Sequence, residues 1–93
     1  MKRQETAETL ALQVLAWLAA DDERFPAFLG ATGASAEDVA QAARRPEFLG
    51  AVLDFLMTED AHVMAFCDAT GHPYTAPMQA RALLPGGQAM HWT

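Results

Sequence analysis

The sequence predicts an all-α fold: a compact bundle of five or six short helices built from two pseudo-symmetric three-helix repeats. Three observations predict it. Apolar residues recur at helical spacing, as in Leu10, Val14, Trp17 and Leu18, which follow the i, i+4, i+7, i+8 pattern of a buried face. Glycines and prolines fall where such runs should stop and start. And residues 10–43 read as a faint copy of residues 48–81, shifted by 38 positions. Val14 matches Val52, Leu15 matches Leu53, Leu18 matches Leu56, Asp22 matches Asp60, Phe28 matches Phe66, Thr32-Gly33 matches Thr70-Gly71, and Gln41 matches Gln79. A repeat of this length is one helical supersecondary unit.

Helix one is expected from about Glu8 to Ala20. Leu12, Leu15 and Ala19 widen its apolar face, so it should lie deep in the fold. Thr6 or Thr9 is a candidate cap. Asp21 and Asp22 suit the positive end of the next helix. That helix is expected from about Glu23 to Thr32, with Phe25, Phe28 and Leu29 inward and Pro26 in its first turn, where a missing N–H costs nothing. Gly33 closes it by taking positive φ. Ser35-Ala-Glu-Asp38 reads as a capping-box-like start for a surface helix from about Ala36 to Arg44, in which Val39, Ala42 and Ala43 face inward. Pro46 opens the second deep helix, with Phe48, Leu49, Val52, Leu53, Phe55, Leu56 and Met57 on its apolar side. Asp54 is expected to face solvent on the opposite stripe. Thr58-Glu-Asp60 starts a fifth helix that runs to about Thr70 and closes at Gly71, with Val63, Phe66 and Cys67 inward. Thr75 caps a sixth through Leu84, with Pro77 in its first turn. The predicted core is Leu10, Val14, Trp17, Leu18, Phe28, Leu49, Val52, Leu53, Leu56, Val63 and Phe66.

Composition narrows the function classes. Ninety-three residues, 52% apolar and 19% charged, make one globular domain, taken as residues 1–85, followed by a tail of residues 86–93. The formal net charge is −6, and no cluster of basic residues exceeds two, so nucleic acid is not an expected partner. The longest apolar run, Val14 to Ala20, is far shorter than a membrane span, and no secretory signal is expected from Lys2-Arg3 followed by Glu5 and Glu8. A cytoplasmic protein with no membrane partner is the expectation. Cys67 is alone and reads as a small buried hydrophobe.

No chemistry stands out. His62, Cys67, His72 and His91 have no zinc-ligand spacing, since His62 and Cys67 are five apart. Ser35 has a capping role, and Gly86-Gly87 follows a proline rather than a strand, so no phosphate cradle forms. Arg44-Arg45 reads as the complement of a helix C-terminus rather than a phosphate site. Catalytic, metal and cofactor-binding residues are therefore none, and no cofactor is expected.

The runs from Leu10 to Asp22, Phe28-Leu-Gly-Ala-Thr-Gly33 and Phe48-Leu-Gly-Ala-Val-Leu-Asp-Phe-Leu56, with Leu84-Pro-Gly-Gly87 and His91-Trp92, carry a resemblance. The chain resembles the domain of unknown function 3572 (DUF3572) family of small bacterial proteins over nearly its whole length. The resemblance implies a soluble, all-helical bacterial protein and transfers no functional residues.

A protein-interaction or adaptor module is the leading expectation, with a protein partner met near His91 and Trp92. A Trp so near the terminus should either pack on the body or meet a partner. The alternative is a small ligand-binding protein or enzyme with a pocket between the repeats, for which Cys67 and His62 are the residues to test. Self-association into a homo-oligomer is a third outlet for spare apolar surface.

Overall fold

The computed structural model describes residues 2–85, and these form α1 (Lys2–Ala19), α2 (Arg24–Thr32), a 3₁₀ turn (Ala36–Asp38), α3 (Val39–Ala42), α4 (Pro46–Leu56), α5 (Asp60–Thr70) and α6 (Ala76–Ala82). The expected His91 and Trp92 site lies outside the described residues. The Cα radius of gyration is 12.4 Å, as a compact chain of this length requires (about 12 Å). None of the described helices is long and apolar enough to cross a membrane.

α1 starts six residues before the expected Glu8. Thr6 and Thr9 therefore lie inside the helix instead of capping it, and Thr9 Oγ1 donates back to the Glu5 carbonyl at 3.0 Å. The extra turns are held by burial, since Ala7 and Ala11 are packed into the core. Asp21 builds the corner that follows. One carboxylate oxygen accepts the backbone N–H of Glu23 at 2.9 Å and of Arg24 at 2.8 Å, and the other accepts Arg24 Nη1 at 3.0 Å. These bonds occupy N–H groups that the start of a helix leaves without partners.

α2 and α5 end alike. Gly33 has φ 77° and donates to the Leu29 carbonyl at 2.8 Å; Gly71 has φ 82° and donates to the Cys67 carbonyl at 2.8 Å. The preceding threonines bond back four residues, Thr32 to Phe28 at 2.9 Å and Thr70 to Phe66 at 2.8 Å. Only glycine takes this left-handed position without a Cβ penalty.

The expected helix from Ala36 to Arg44 is shorter and divided: a 3₁₀ turn followed by one α-turn. Ser35 makes no backbone cap; its hydroxyl donates to Asp38 Oδ2 at 2.8 Å. With only Ala42 buried, little apolar surface is available to extend the element. α4 begins at Pro46 and buries Leu49, Gly50, Val52, Leu53 and Leu56.

α1 packs chiefly on α4 and α6, and α2 closes over α1 and α4. Nine of the expected core residues are buried; Trp17 and Val63 are half-buried and packed against them. Phe28 sits among Phe25, Phe48 and Phe55, with edge-to-face contacts to the last two at 5.8 and 5.5 Å between centroids.

Candidate functional site

Where α6 lies against the first half of α1, the packing leaves an elongated groove of about 390 Å³. Its α1 wall is Arg3, Thr6–Ala7, Thr9–Leu10 and Gln13, which follows helical i, i+3/i+4 spacing. Its α6 wall is Ala76, Gln79–Ala80 and Leu83. His72 Nε2 and Gln13 Oε1, 2.8 Å apart, pin one end, and the His72 ring is held by stacking on Phe66 at 5.8 Å. Arg3 and Leu83 stand at the other end, so α6 runs antiparallel to α1. The floor is made of alanines and Leu10, and such small side chains fail to fill the angle between two helices. The polar atoms of Gln13, Gln79 and Thr6 sit along the rim. Leu83, on the wall, is 39% exposed. A largely apolar trough with a few polar groups is what a docking or ligand surface needs.

A second hollow, of about 300 Å³, is more polar and is bordered by Asp21, Arg24, Phe55 and His62. Two of its charges, Arg24 and Asp21, are paired with each other. Arg24 bonds Asp21, and its guanidinium lies 4.3 Å from the centre of the Trp17 ring. The two backbone N–H bonds, helped by the Arg24 charge, hold Asp21 below the usual carboxylate range. His62 stacks on Phe55 and has Nε2 3.5 Å from Glu59 Oε1, while its buried Nδ1 has no hydrogen-bond partner among the described residues.

His62 and Cys67 are not brought together as a pair. The Cys67 thiol is buried and donates to the Pro73 carbonyl at 3.4 Å. Burial, with the nearby Asp68 charge, pushes its pKa up, which disfavours the thiolate needed for attack. Among the described residues no group of three or more His, Cys, Asp and Glu side chains is arranged to hold a metal ion. Arg44 and Arg45 are exposed in the turn between α3 and α4. They follow the end of α3, and Arg45 also stands at the N-cap of α4.

One structural device was missed by sequence reasoning. Asp54 does face solvent, but Arg81 grips it in a two-point pair, Nε to Oδ1 at 2.7 Å and Nη2 to Oδ2 at 3.1 Å. Arg81 Nη1 also donates to the Pro85 carbonyl at 2.9 Å. The guanidinium crosses α4 at Gly50, where a Cβ would stand 2.8 Å from Arg81 Nη1. A side chain at this position would require the Arg81 guanidinium to shift from its place over α4.

The family model described as "Protein of unknown function (DUF3572)" matches residues 4–87. The chain belongs to this family. No curated protein and no solved structure matches it. The matched span takes in α6 and nearly all of α1, and so both walls of the groove in this DUF3572 chain except Arg3. It also contains the Gly50–Arg81–Asp54 clasp that fixes α6 in place.

Proposed function

We propose that this DUF3572 chain is a protein-interaction module built from two three-helix repeats, and that it docks an apolar helical segment of a partner protein in the α1–α6 groove. His91 and Trp92, outside the described residues, are proposed as further partner-contacting residues. The observation that carries it is the groove itself: a trough with an alanine and leucine floor, polar rims and an exposed Leu83. The expected partner segment presents small and medium apolar side chains at helical spacing. A carboxylate near its end would meet Arg3, the one permanently charged side chain among the described lining residues.

The repeat reading is supported by the matching ends of α2 and α5 and by matching burial. Val14 and Val52, Leu18 and Leu56, and Phe28 and Phe66 are all fully buried pairs at the same 38-residue shift. Ala42 and Ala80 are both buried as well. A cytoplasmic setting is part of the proposal, supported by a lone buried cysteine that forms no disulfide.

The test is affinity capture from native lysate with two variants run beside the wild type. Leu83→Asp places a charge on the groove wall. Leu12→Asp changes an apolar α1 residue that is 44% exposed and outside the groove. A partner lost with Leu83→Asp and kept with Leu12→Asp supports the proposal; a partner kept by both variants contradicts it. The groove volume also favours a second reading, as it falls within the roughly 300–1,000 Å³ of small-molecule sites. A metabolite that raises the melting temperature of the wild type but not of Leu83→Asp would support that reading over the first.

A further inference from the structure

The α1–α6 groove is narrow for its length. Its α1 wall from Arg3 to Gln13 runs about 15 Å at 1.5 Å per helical residue. A volume of about 390 Å³ over that length leaves a mean width of about 5 Å, roughly half that of a helix with its side chains. A docked helix therefore enters the trough by one row of side chains. A single alkyl chain fits differently. Carbon atoms meet at about 3.5–4.0 Å, so such a chain lies in the trough along its whole length.

The lining matches an alkyl chain with one anionic end. Ala7, Leu10, Ala76, Ala80 and Leu83 give a continuous apolar surface, and none of the buried described residues is polar or charged. At one end stands Arg3, exposed and without an ion-pair partner among the described residues. At the other end His72 Nε2 and Gln13 Oε1 bond each other at 2.8 Å and close the trough. Arg3 carries the one permanent charge of the described lining, and a guanidinium offers two parallel N–H bonds to a carboxylate. The walls also set the length. A fully extended chain advances on the order of 1.2 Å per bond, so about 15 Å takes about twelve carbons.

We propose that the α1–α6 groove binds a free fatty acid of about twelve carbons, with its carboxylate on Arg3 and its alkyl chain along Ala7, Leu10, Ala76, Ala80 and Leu83. This rests on reading the groove as an unfilled binding surface and names the small-molecule class that fits it.

The test is a methyl NMR titration of the full chain with dodecanoate below its micelle concentration, with hexanoate and dodecyltrimethylammonium titrated in parallel. The formal net charge of −6 favours the cationic amphiphile in any unspecific association, so a preference for the anion reports a local positive site. The expected result is one dodecanoate per chain, shifting the methyls of Ala76, Ala80 and Leu83. It should bind at least about tenfold more tightly than hexanoate, which has less apolar surface to bury, and more tightly than dodecyltrimethylammonium. Arg3→Gln should weaken dodecanoate about two- to fivefold, the range of an exposed ion pair. Leu83→Asp should weaken it more than about tenfold, and Leu12→Asp, outside the groove, should leave it unchanged. Four results would each overturn the proposal: no shift at those methyls, a tighter hold on dodecyltrimethylammonium than on dodecanoate, full affinity in Arg3→Gln, or full affinity in Leu83→Asp. Failure here and failure of partner docking are separable. Protein capture that depends on Leu83 without dodecanoate shifts keeps the docking surface and removes the fatty acid; dodecanoate shifts without such capture do the reverse.

Discussion

Two seams of this bundle bring helices together and end differently. Between α2 and α4, Phe28 enters a ring of Phe25, Phe48 and Phe55 and is fully buried. Between α1 and α6, Ala7, Ala76 and Ala80 meet, and a groove of about 390 Å³ remains. Large aromatic side chains span the gap between helix axes and close it, whereas alanines cannot. Both seams read as ordinary helix packing in the sequence pattern. Side-chain volume decides which one becomes core and which stays open.

The largest expected effects are at the closed seam and at the buried Phe66 of α5. Phe28→Ala and Phe66→Ala should each cost about 3–5 kcal/mol in urea unfolding, because each leaves a cavity where a fully buried ring stood. Leu83→Ala, on the groove wall, should cost less than about 1 kcal/mol, as a partly exposed residue does. Equal losses at Phe28 and Leu83 would erase the distinction between the seams.

Next come the two helix ends. Gly33→Ala and Gly71→Ala should each destabilise by about 1–2 kcal/mol, the cost of a Cβ in the left-handed conformation. Because the two ends have nearly the same φ and the same kind of threonine bond, the two losses should be equal within error. Unequal losses would weaken the repeat reading.

These ends were legible in the sequence because Thr-Gly before a proline-rich or capping segment has few conformational alternatives. Pro46 at the start of α4 was legible for the same reason. The early start of α1 was not. Ala7 and Ala11 gain their stability from burial against other helices, and alanine carries little hydropathy signal of its own. The brevity of α3 was equally hidden, since the Ser35–Asp38 bond competes with the backbone cap the motif suggested. The groove and the Arg81 clasp depend on residues 27 to 80 positions apart, which no local pattern reports. The alanines at positions 7, 76 and 80 were visible, but only the antiparallel meeting of α1 and α6 turns them into a trough.

A smaller effect is expected at Gly50. Gly50→Ala should displace the Arg81 guanidinium and cost about 0.5–1 kcal/mol, most of it from the lost pair with Asp54. Arg81 Nε–H exchange measured by NMR should quicken at the same time. If the exchange rate is unchanged, the clasp does not depend on the missing side chain.

The smallest is a pH effect at the α1–α2 corner. The folded pKa of Asp21 lies below its unfolded value, so its contribution is present above about pH 4 and is lost as pH falls through the folded pKa. Asp21→Asn removes that titration. The wild type should therefore lose stability more steeply than Asp21→Asn in acid unfolding below about pH 4. Parallel curves would mean that the Asp21 bonds to Glu23 and Arg24 add nothing to the corner.

The central claim is that the unfilled seam is where this protein meets a partner. Site-specific photocrosslinking in native lysate tests it most directly, with a photoreactive residue at Gln79 on the groove rim and, in a separate chain, at Leu12 outside it. The account predicts an adduct to another protein from Gln79 and not from Leu12, with the crosslinked peptide an apolar segment of helical periodicity. Adducts of the same protein from both positions, or an adduct from Leu12 alone, would contradict it.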